Sequence, residues 1–169
     1  MKKKQIIKNK VIKLTNDNYE NDIGITQDYE NKNEVNINTI LNNLPKKIDN
    51  KDIIKNRNLI IYSWGVKKDK KEVDCDLLFD LRKFQTKIDK DIDVHLINGL
   101  SNIIQESIIL HPKFLELIEI VIKQIEIENP KEIAFICNHG KHRSVGWAEL
   151  LQKLFYKNAV VKHLCRKNW

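Results

Sequence analysis

The sequence predicts an α/β fold, a mainly parallel sheet flanked by helices, with one strand–phosphate-loop–helix motif. Two observations carry this. Short apolar runs that read as buried strands, Asn58–Ser63 and Ile133–Cys137, alternate with segments of helical period, 101–128 and 147–155. The second run is continuous rather than alternating, as in a strand covered on both faces. It ends in a polar loop that opens a helix.

The elements follow in order. Residues 1–56 form a polar, Asn/Lys-rich N-terminal extension holding 12 of the 19 Asn. It is expected to be partly disordered, with edge elements. Lys4 to Leu14 alternates weakly, as an edge strand does. Asn16 to Glu34 reads as polar loop, and Asn38 to Leu44 as a short helix stopped by Pro45. The domain is expected to span 57–169. Asn58–Ser63 is its first strand, ending in a turn at Trp64-Gly65, and Cys75–Leu81 is the second. Apolar residues at 104, 108, 115, 118, 122 and 125 mark one or two amphipathic helices, interrupted near His111-Pro112. Pro130 precedes the Ile133–Cys137 strand. Trp147, Leu150, Leu151, Leu154 and Phe155 recur at helical spacing, and Asn158–His163 is a last strand.

Composition excludes several classes. The longest apolar candidate, Ile118 to Ile127, is broken by Glu119, Lys123, Gln124 and Glu126. It falls short of the roughly 20 residues a membrane helix needs. Met1-Lys2-Lys3-Lys4-Gln5 is not followed by a secretory apolar core, so a cytoplasmic location and no membrane partner are expected. Three cysteines without a CxxC pair disfavour a disulfide framework and fit a reducing compartment. The net charge of +7 is spread evenly: residues 1–56 carry 11 basic and 8 acidic side chains, and 57–169 carry 19 and 15. Such a charge favours phosphates or acidic surfaces without naming one.

The chemistry concentrates in Cys137-Asn138-His139-Gly140-Lys141-His142-Arg143-Ser144. It lies at a strand's carboxyl end, where α/β sheets bind ligands. The helix start supplies unpaired N–H groups and partial positive charge. Gly140 lets the backbone bend closely, and Lys141 and Arg143 add full charges. His139 and His142 add donors, and the loop has no Asp or Glu. All eight residues are assigned to a phosphate site, against the alternative of a basic surface loop. Gly140-Lys141 is not a Walker A, because the upstream Gly and following Ser/Thr are missing. Cys137, His139, His142 and Cys165 offer zinc donors, but the crowded cations oppose a divalent metal, so neither metal nor cofactor is expected.

The segment also satisfies C-x5-R-[ST], the signature of cysteine-dependent phosphatases, with Cys137, Arg143 and Ser144. There Cys137 would be the thiolate nucleophile and Arg143 would hold the phosphoryl oxygens. Asp69, Asp74, Asp76 and Asp80 are the candidate general acids, and three of them, Asp74, Asp76 and Asp80, would share one strand face. Trp64 reads as packing or as a stacking surface. Lys67, Lys68, Lys70 and Lys71 read as a solvated cluster or as RNA-phosphate contacts, and His111 as structural.

Four motifs in order resemble the C-terminal domain of the RapZ family, the RNase adapter proteins. Ile136-Cys-Asn-His-Gly-Lys-His-Arg-Ser-Val145 is similar to G-C-T-G-G-K-H-R-S-V. Ser63-Trp-Gly65-Val-Lys67 resembles S-F-G-x-K. Asp74-Cys-Asp-Leu-Leu-Phe-Asp80-Leu-Arg82 resembles D-A-D-L-V-F-D-V-R, and Asn98-Gly99-Leu100 resembles T-G-L. Val161-Lys-His163-Leu-Cys-Arg166 partly meets V-x-x-R-H-R. The resemblance implies a ligand-binding module rather than an enzyme. It implies an amino-sugar phosphate (glucosamine 6-phosphate) as the phosphorylated ligand, and RNA or a ribonuclease as partner. It places Ser63, Gly65, Lys67, Asp80, Arg82 and His163 as secondary ligand-binding residues. The chain departs from the family at His139, which replaces a glycine. The P-N-P after D-V-R is also missing. Lacking GxxxxGK[ST], the chain is expected to be a stand-alone copy without the family's N-terminal P-loop ATPase domain. A homo-oligomer stays open.

Overall fold

The structure, a computed structural model, describes residues 10–15, 56–68 and 73–169. Five strands form one sheet: β1 (Lys10–Lys13), β2 (Ile60–Gly65), β3 (Leu77–Asp80), β4 (Glu132–Cys137) and β5 (Val160–His163). Their spatial order is β1-β3-β4-β2-β5, and every pairing is parallel. Three helices accompany them among the described residues: α1 (Asn102–Ile109), α2 (Phe114–Glu128) and α3 (Arg143–Leu154). The expected α/β fold with a parallel, helix-flanked sheet is what the chain adopts.

Parallel pairing brings all carboxyl ends to one edge. Gly65 is in register with Cys137, Asp80 with Ile136, Ser63 with His163, and Lys13 with Asp80. Side chains alternate between faces. Ile61, Phe79, Ile133 and Phe135 join residues of all three helices in the main core. Tyr62, Trp64, Leu78, Ala134 and Ile136 form a smaller cluster on the other face, with Val73, Cys75 and Cys165. Trp147 of α3 is the hub of the main core. Its ring meets Phe84, Phe114 and Phe135 at 5.4, 5.3 and 5.8 Å between centroids. Such aromatic contacts add to the stabilisation from area burial.

Helix ends follow local chemistry. Ser101 caps α1 by accepting from the Ile103 amide. The break at His111-Pro112 separates α1 from α2. Asn129 ends α2 in the left-handed region, with φ of 50°. Ile104, Ile108, Ile118, Ile122 and Ile125 are buried as their spacing predicts. Leu115 is exposed instead, because Phe114 and Leu117 take the inward positions of that turn.

Several expectations need correction. Trp64 and Gly65 lie within β2 rather than in a turn after it, and Trp64 packs in the smaller core. The second strand is Leu77–Asp80 only, so Asp74, Asp76 and Asp80 are not one row on a strand. Asp76 precedes β3 and accepts from the amides of Lys131 and Glu132 at the sheet's amino edge. An edge strand does form within 4–14, over Lys10–Lys13. The polar stretch 16–34, the 38–44 helix, Asp69, Lys70 and Lys71 lie outside the described residues. No helix among the described residues is long and apolar enough to cross a membrane.

Candidate functional site

β4 delivers Cys137 to the carboxyl edge, and the chain turns through 138–142 into α3. Gly140 makes the turn possible: its φ is +66°, a region unfavourable to other residues. The turn is pressed against β2. A Cβ on Gly140 would stand 2.6 Å from the Gly65 nitrogen, and one on Gly65 would stand 2.3 Å from the His139 carbonyl carbon. Val66 donates its amide to the Cys137 carbonyl and Lys67 to the Asn138 carbonyl, at 3.0 and 2.9 Å. The Ser63–Lys67 segment and the loop are therefore one backbone-bonded unit. On the opposite side, Gly99 donates to the Lys141 carbonyl at 2.8 Å, and a Cβ there would meet the His142 carbonyl oxygen at 2.4 Å.

The Cys137 sulfur is buried, with 3% of the residue exposed. It accepts from the Gly140 amide at 3.2 Å and lies 3.2 Å from Ser144 Oγ. Two hydrogen-bonding groups thus meet one thiol, beneath the loop.

The basic side chains are held by neutral oxygens. Lys141 Nζ donates to the His95 carbonyl at 2.6 Å. His142 Nε2 contacts the Val94 and Ile97 carbonyls at 2.9 and 3.0 Å. Burial pushes this imidazole below its usual pKa, against the opposing pull of those carbonyls. The neutral ring therefore donates through Nε2. Arg143 Nη1 donates to the carbonyls of Leu81, Arg82 and Phe84, at 3.0, 3.0 and 2.5 Å. None of these three side chains forms an ion pair with a carboxylate of the described residues. Carbonyl dipoles orient a charge without cancelling it, so the full charges of Lys141 and Arg143 remain around the loop.

The start of α3 is also uncapped. No side chain caps it, because the His142 ring is turned toward Val94 and Ile97, and its first turn has no acidic residue. The first intrahelical amide bond is Gly146 to the His142 carbonyl. First-turn amides ahead of it have no intrahelical acceptor.

The secondary residues divide into two groups. Ser63 Oγ lies 2.8 Å from His163 Nδ1, and His163 Nε2 lies 3.1 Å from Glu149 Oε1. Burial lowers the His163 pKa, more than Glu149 raises it. The neutral ring then donates from Nε2 to Glu149 and accepts from the Ser63 hydroxyl. Ser63 and His163 therefore belong to a part-buried hydrogen-bonded relay, with Glu149 of α3 as third member. Asp80 and Arg82 form another unit. The Arg82 guanidinium grips both Asp80 carboxylate oxygens at 2.6 to 3.0 Å, and its amide adds a bond at 2.9 Å. Burial alone would raise the Asp80 pKa, but the bonds and charge of Arg82 prevail and lower it. Asp80 follows Leu78 on the smaller-core face, whereas Cys137 follows Phe135 on the α3 face. The Arg82 carbonyl, not its side chain, touches the loop through Arg143.

Sequence reasoning missed two neighbours, Glu149 and Trp169, and named the third, Cys165, only as a possible zinc donor. Glu149 had only its position one and a half turns into α3. Trp169 donates Nε1 to the Gly140 carbonyl at 3.0 Å, and its ring lies 5.4 Å from the His163 ring. Cys165 fills the space beside Gly140, where a Cβ would meet its sulfur at 3.0 Å. Of the other marked residues, His111 packs on Phe84 and accepts from the Lys113 amide. Asp74 and Asp76 precede β3, and Asp76 is bonded at the sheet's amino edge, opposite the edge that carries Cys137. Among the described residues, no three His, Cys, Asp or Glu side chains group as a metal site.

A family model described as the RapZ C-terminal domain matches residues 57–168, two thirds of the chain. No curated protein matches significantly.

Proposed function

The chain belongs to the RapZ C-terminal domain family, and on that basis we propose that loop 137–144 binds the phosphate of a small phosphorylated molecule. One observation carries this reading: an uncapped, carboxylate-free helix start is ringed by charges bonded only to carbonyls. An oxyanion is the ligand that satisfies both the uncapped amides and the uncancelled charge. Asn138, His139 and Gly140 supply the backbone turn. Lys141 and Arg143 supply charge, and Ser144 supplies a hydroxyl beside Cys137. By family resemblance the ligand is an amino-sugar phosphate, glucosamine 6-phosphate, with Lys67 at the rim. Three free cysteines agree with a cytoplasmic, reducing setting.

Isothermal titration with glucosamine 6-phosphate and with inorganic phosphate tests the reading. Binding of the sugar phosphate with higher affinity than phosphate is expected. Absence of binding by any phosphorylated sugar at millimolar concentration would overturn it.

An adapter role toward RNA or a ribonuclease rests on the family and on the +7 charge. RNA affinity should fall steeply with salt. A second reading, a cysteine-dependent phosphatase, draws on the two groups that meet the Cys137 sulfur. Turnover of an aryl phosphate, abolished by Cys137→Ser, would favour that reading. Phosphate binding without turnover favours the binding module.

A further inference from the structure

Four carbonyls of the loop that follows β4 are held by groups outside it. Val66 and Lys67 donate their amides to the carbonyls of Cys137 and Asn138, and Gly99 donates to that of Lys141. The fourth carbonyl, on Gly140, accepts from the Trp169 indole Nε1 at 3.0 Å. Every peptide bond among the described residues is trans. In a planar trans peptide the carbonyl of one residue and the amide of the next point in opposite directions. Each held carbonyl therefore turns the following amide, on Asn138, His139, Lys141 and His142, away from its holder. The holders come from β2 and the chain after β5 on one flank, and from Gly99 on the other. The amides face the space between, and amides gathered in this way make a concavity for an anion.

Three of the four holders are backbone amides, which the fold itself supplies. The fourth is a side chain, and it holds the least constrained peptide. Gly140 has a φ of +66° and no Cβ, so the peptide that follows it can turn over at low cost. Turned over, the Gly140 carbonyl would face the space between the flanks and the Lys141 amide would leave it. An oxygen dipole aimed at an oxyanion repels it. Trp169 is itself fixed in place. The turn after β5 brings it back toward the loop: Asn168 donates to the Cys165 carbonyl at 2.9 Å, and Cys165 stands beside Gly140. The indole ring lies 5.4 Å from the His163 ring, which Ser63 and Glu149 orient, and 6.0 Å from the Arg166 guanidinium. Trp169 lies one residue beyond the span 57–168 that the family model matches, and no motif of the resemblance includes it.

We propose that Trp169 is a positioning residue for the phosphate loop. The inference rests on the reading of loop 137–144 as an oxyanion site. The indole N–H gives nothing to the ligand directly. It holds the Gly140 carbonyl outward and so keeps the Lys141 amide among the donors that meet the anion. A loop held ready in this way binds more tightly than one that must be ordered as the ligand arrives.

Trp169→Phe is the test, because it keeps an aromatic ring beside His163 and removes the donor. Calorimetry with inorganic phosphate should show binding about tenfold weaker than in the parent chain, the effect of one hydrogen bond. The salt dependence of that affinity should not change, since no charge is lost. The urea midpoint should stay that of the parent. Without any anion, NMR relaxation dispersion should show microsecond-to-millisecond exchange at the Gly140 and Lys141 amides that the parent lacks. The amides of Ile133 to Ile136 should remain as in the parent. Parent-like phosphate affinity in Trp169→Phe, or no new exchange at 140–141, would overturn the proposal and leave the loop reading intact. Weaker binding that comes with a lower urea midpoint and with exchange spread through β4 would make Trp169 a structural residue only, and would also overturn it. Failure of phosphate to bind the parent chain would sink the loop reading, and this inference with it.

Discussion

Gly65 and Gly140 meet backbone to backbone: the Gly65 amide nitrogen occupies a point 2.6 Å from where a Cβ on Gly140 would stand. Two strands adjacent in the sheet thereby lock the loop that follows one of them. The loop's shape is set by a neighbour separated from it by over seventy residues of chain.

Gly65→Ala should therefore damage both folding and the site. The new Cβ would lie 2.3 Å from the His139 carbonyl carbon and 2.4 Å from the Gly140 nitrogen, with only backbone to yield. A loss of about 1–3 kcal/mol is expected, as for other overpacked positions. Chemical denaturation measures it, and phosphate titration of the folded fraction should show weakened binding. An alanine variant of unchanged stability would contradict the close packing.

Arg143→Ala should separate two roles. Its guanidinium holds the 81–84 carbonyls, so removal should cost about 1–3 kcal/mol of stability through orphaned acceptors. Phosphate affinity should fall by about tenfold or more with the loss of a charged donor. Arg143→Lys keeps the charge but not the planar fork, and should recover affinity only in part. Denaturation curves and calorimetry on the same samples would separate the two effects.

Stability should decline as pH falls below about 6.5, the ordinary histidine value. His111, His142 and His163 all have pKa values lowered in the fold, each chiefly by burial. In the unfolded chain they take up protons first, so acid favours unfolding. The loss begins at the unfolded value and continues until each folded value is passed. Each such proton steepens the decline by about 1.4 kcal/mol per pH unit at most. Asp80 adds a separate loss at lower pH, where its depressed carboxyl is protonated. Urea unfolding at pH 7.5, 6 and 5 measures the first phase. His142→Asn should flatten it.

Glu126→Ala should be the most damaging change away from the site. Glu126 accepts from Arg57 at 2.9 and 2.7 Å and from the Tyr156 hydroxyl at 2.8 Å. Tyr156 is fully buried, and the Glu126 and Arg57 side chains are largely so. Removing the carboxylate strands one charge and one hydroxyl, at a cost of about 3–5 kcal/mol. Thermal unfolding checks this. Retained phosphate binding in the folded fraction would show that the network supports the fold rather than the site.

The Cys75 thiol should resist alkylation in the native state. Burial, then Asp76 and Asp74, push it up to about 12. Mass spectrometry after iodoacetamide treatment near pH 8 should show Cys75 unmodified until denaturant is added. Rapid native labelling would place it at the surface instead.

The alternation of strands and helices was legible in the amino-acid order, because apolar spacing is local and each period allows one element. That order also located the loop, since Cys137 to Ser144 combines glycine, cations and the absence of carboxylates within eight residues. How those residues are used depends on long-range packing. Lys141, His142 and Arg143 are oriented by carbonyls of His95, Val94, Ile97 and 81–84, contacts made across 45 to 62 positions of chain. No local pattern encodes such partners. The same holds for Glu149 and Trp169, which reach the site through helix and chain-end geometry. It holds for Asp76, which parallel pairing sends to the amino edge, and for Lys13, which joins Asp80 only because β1 pairs with β3.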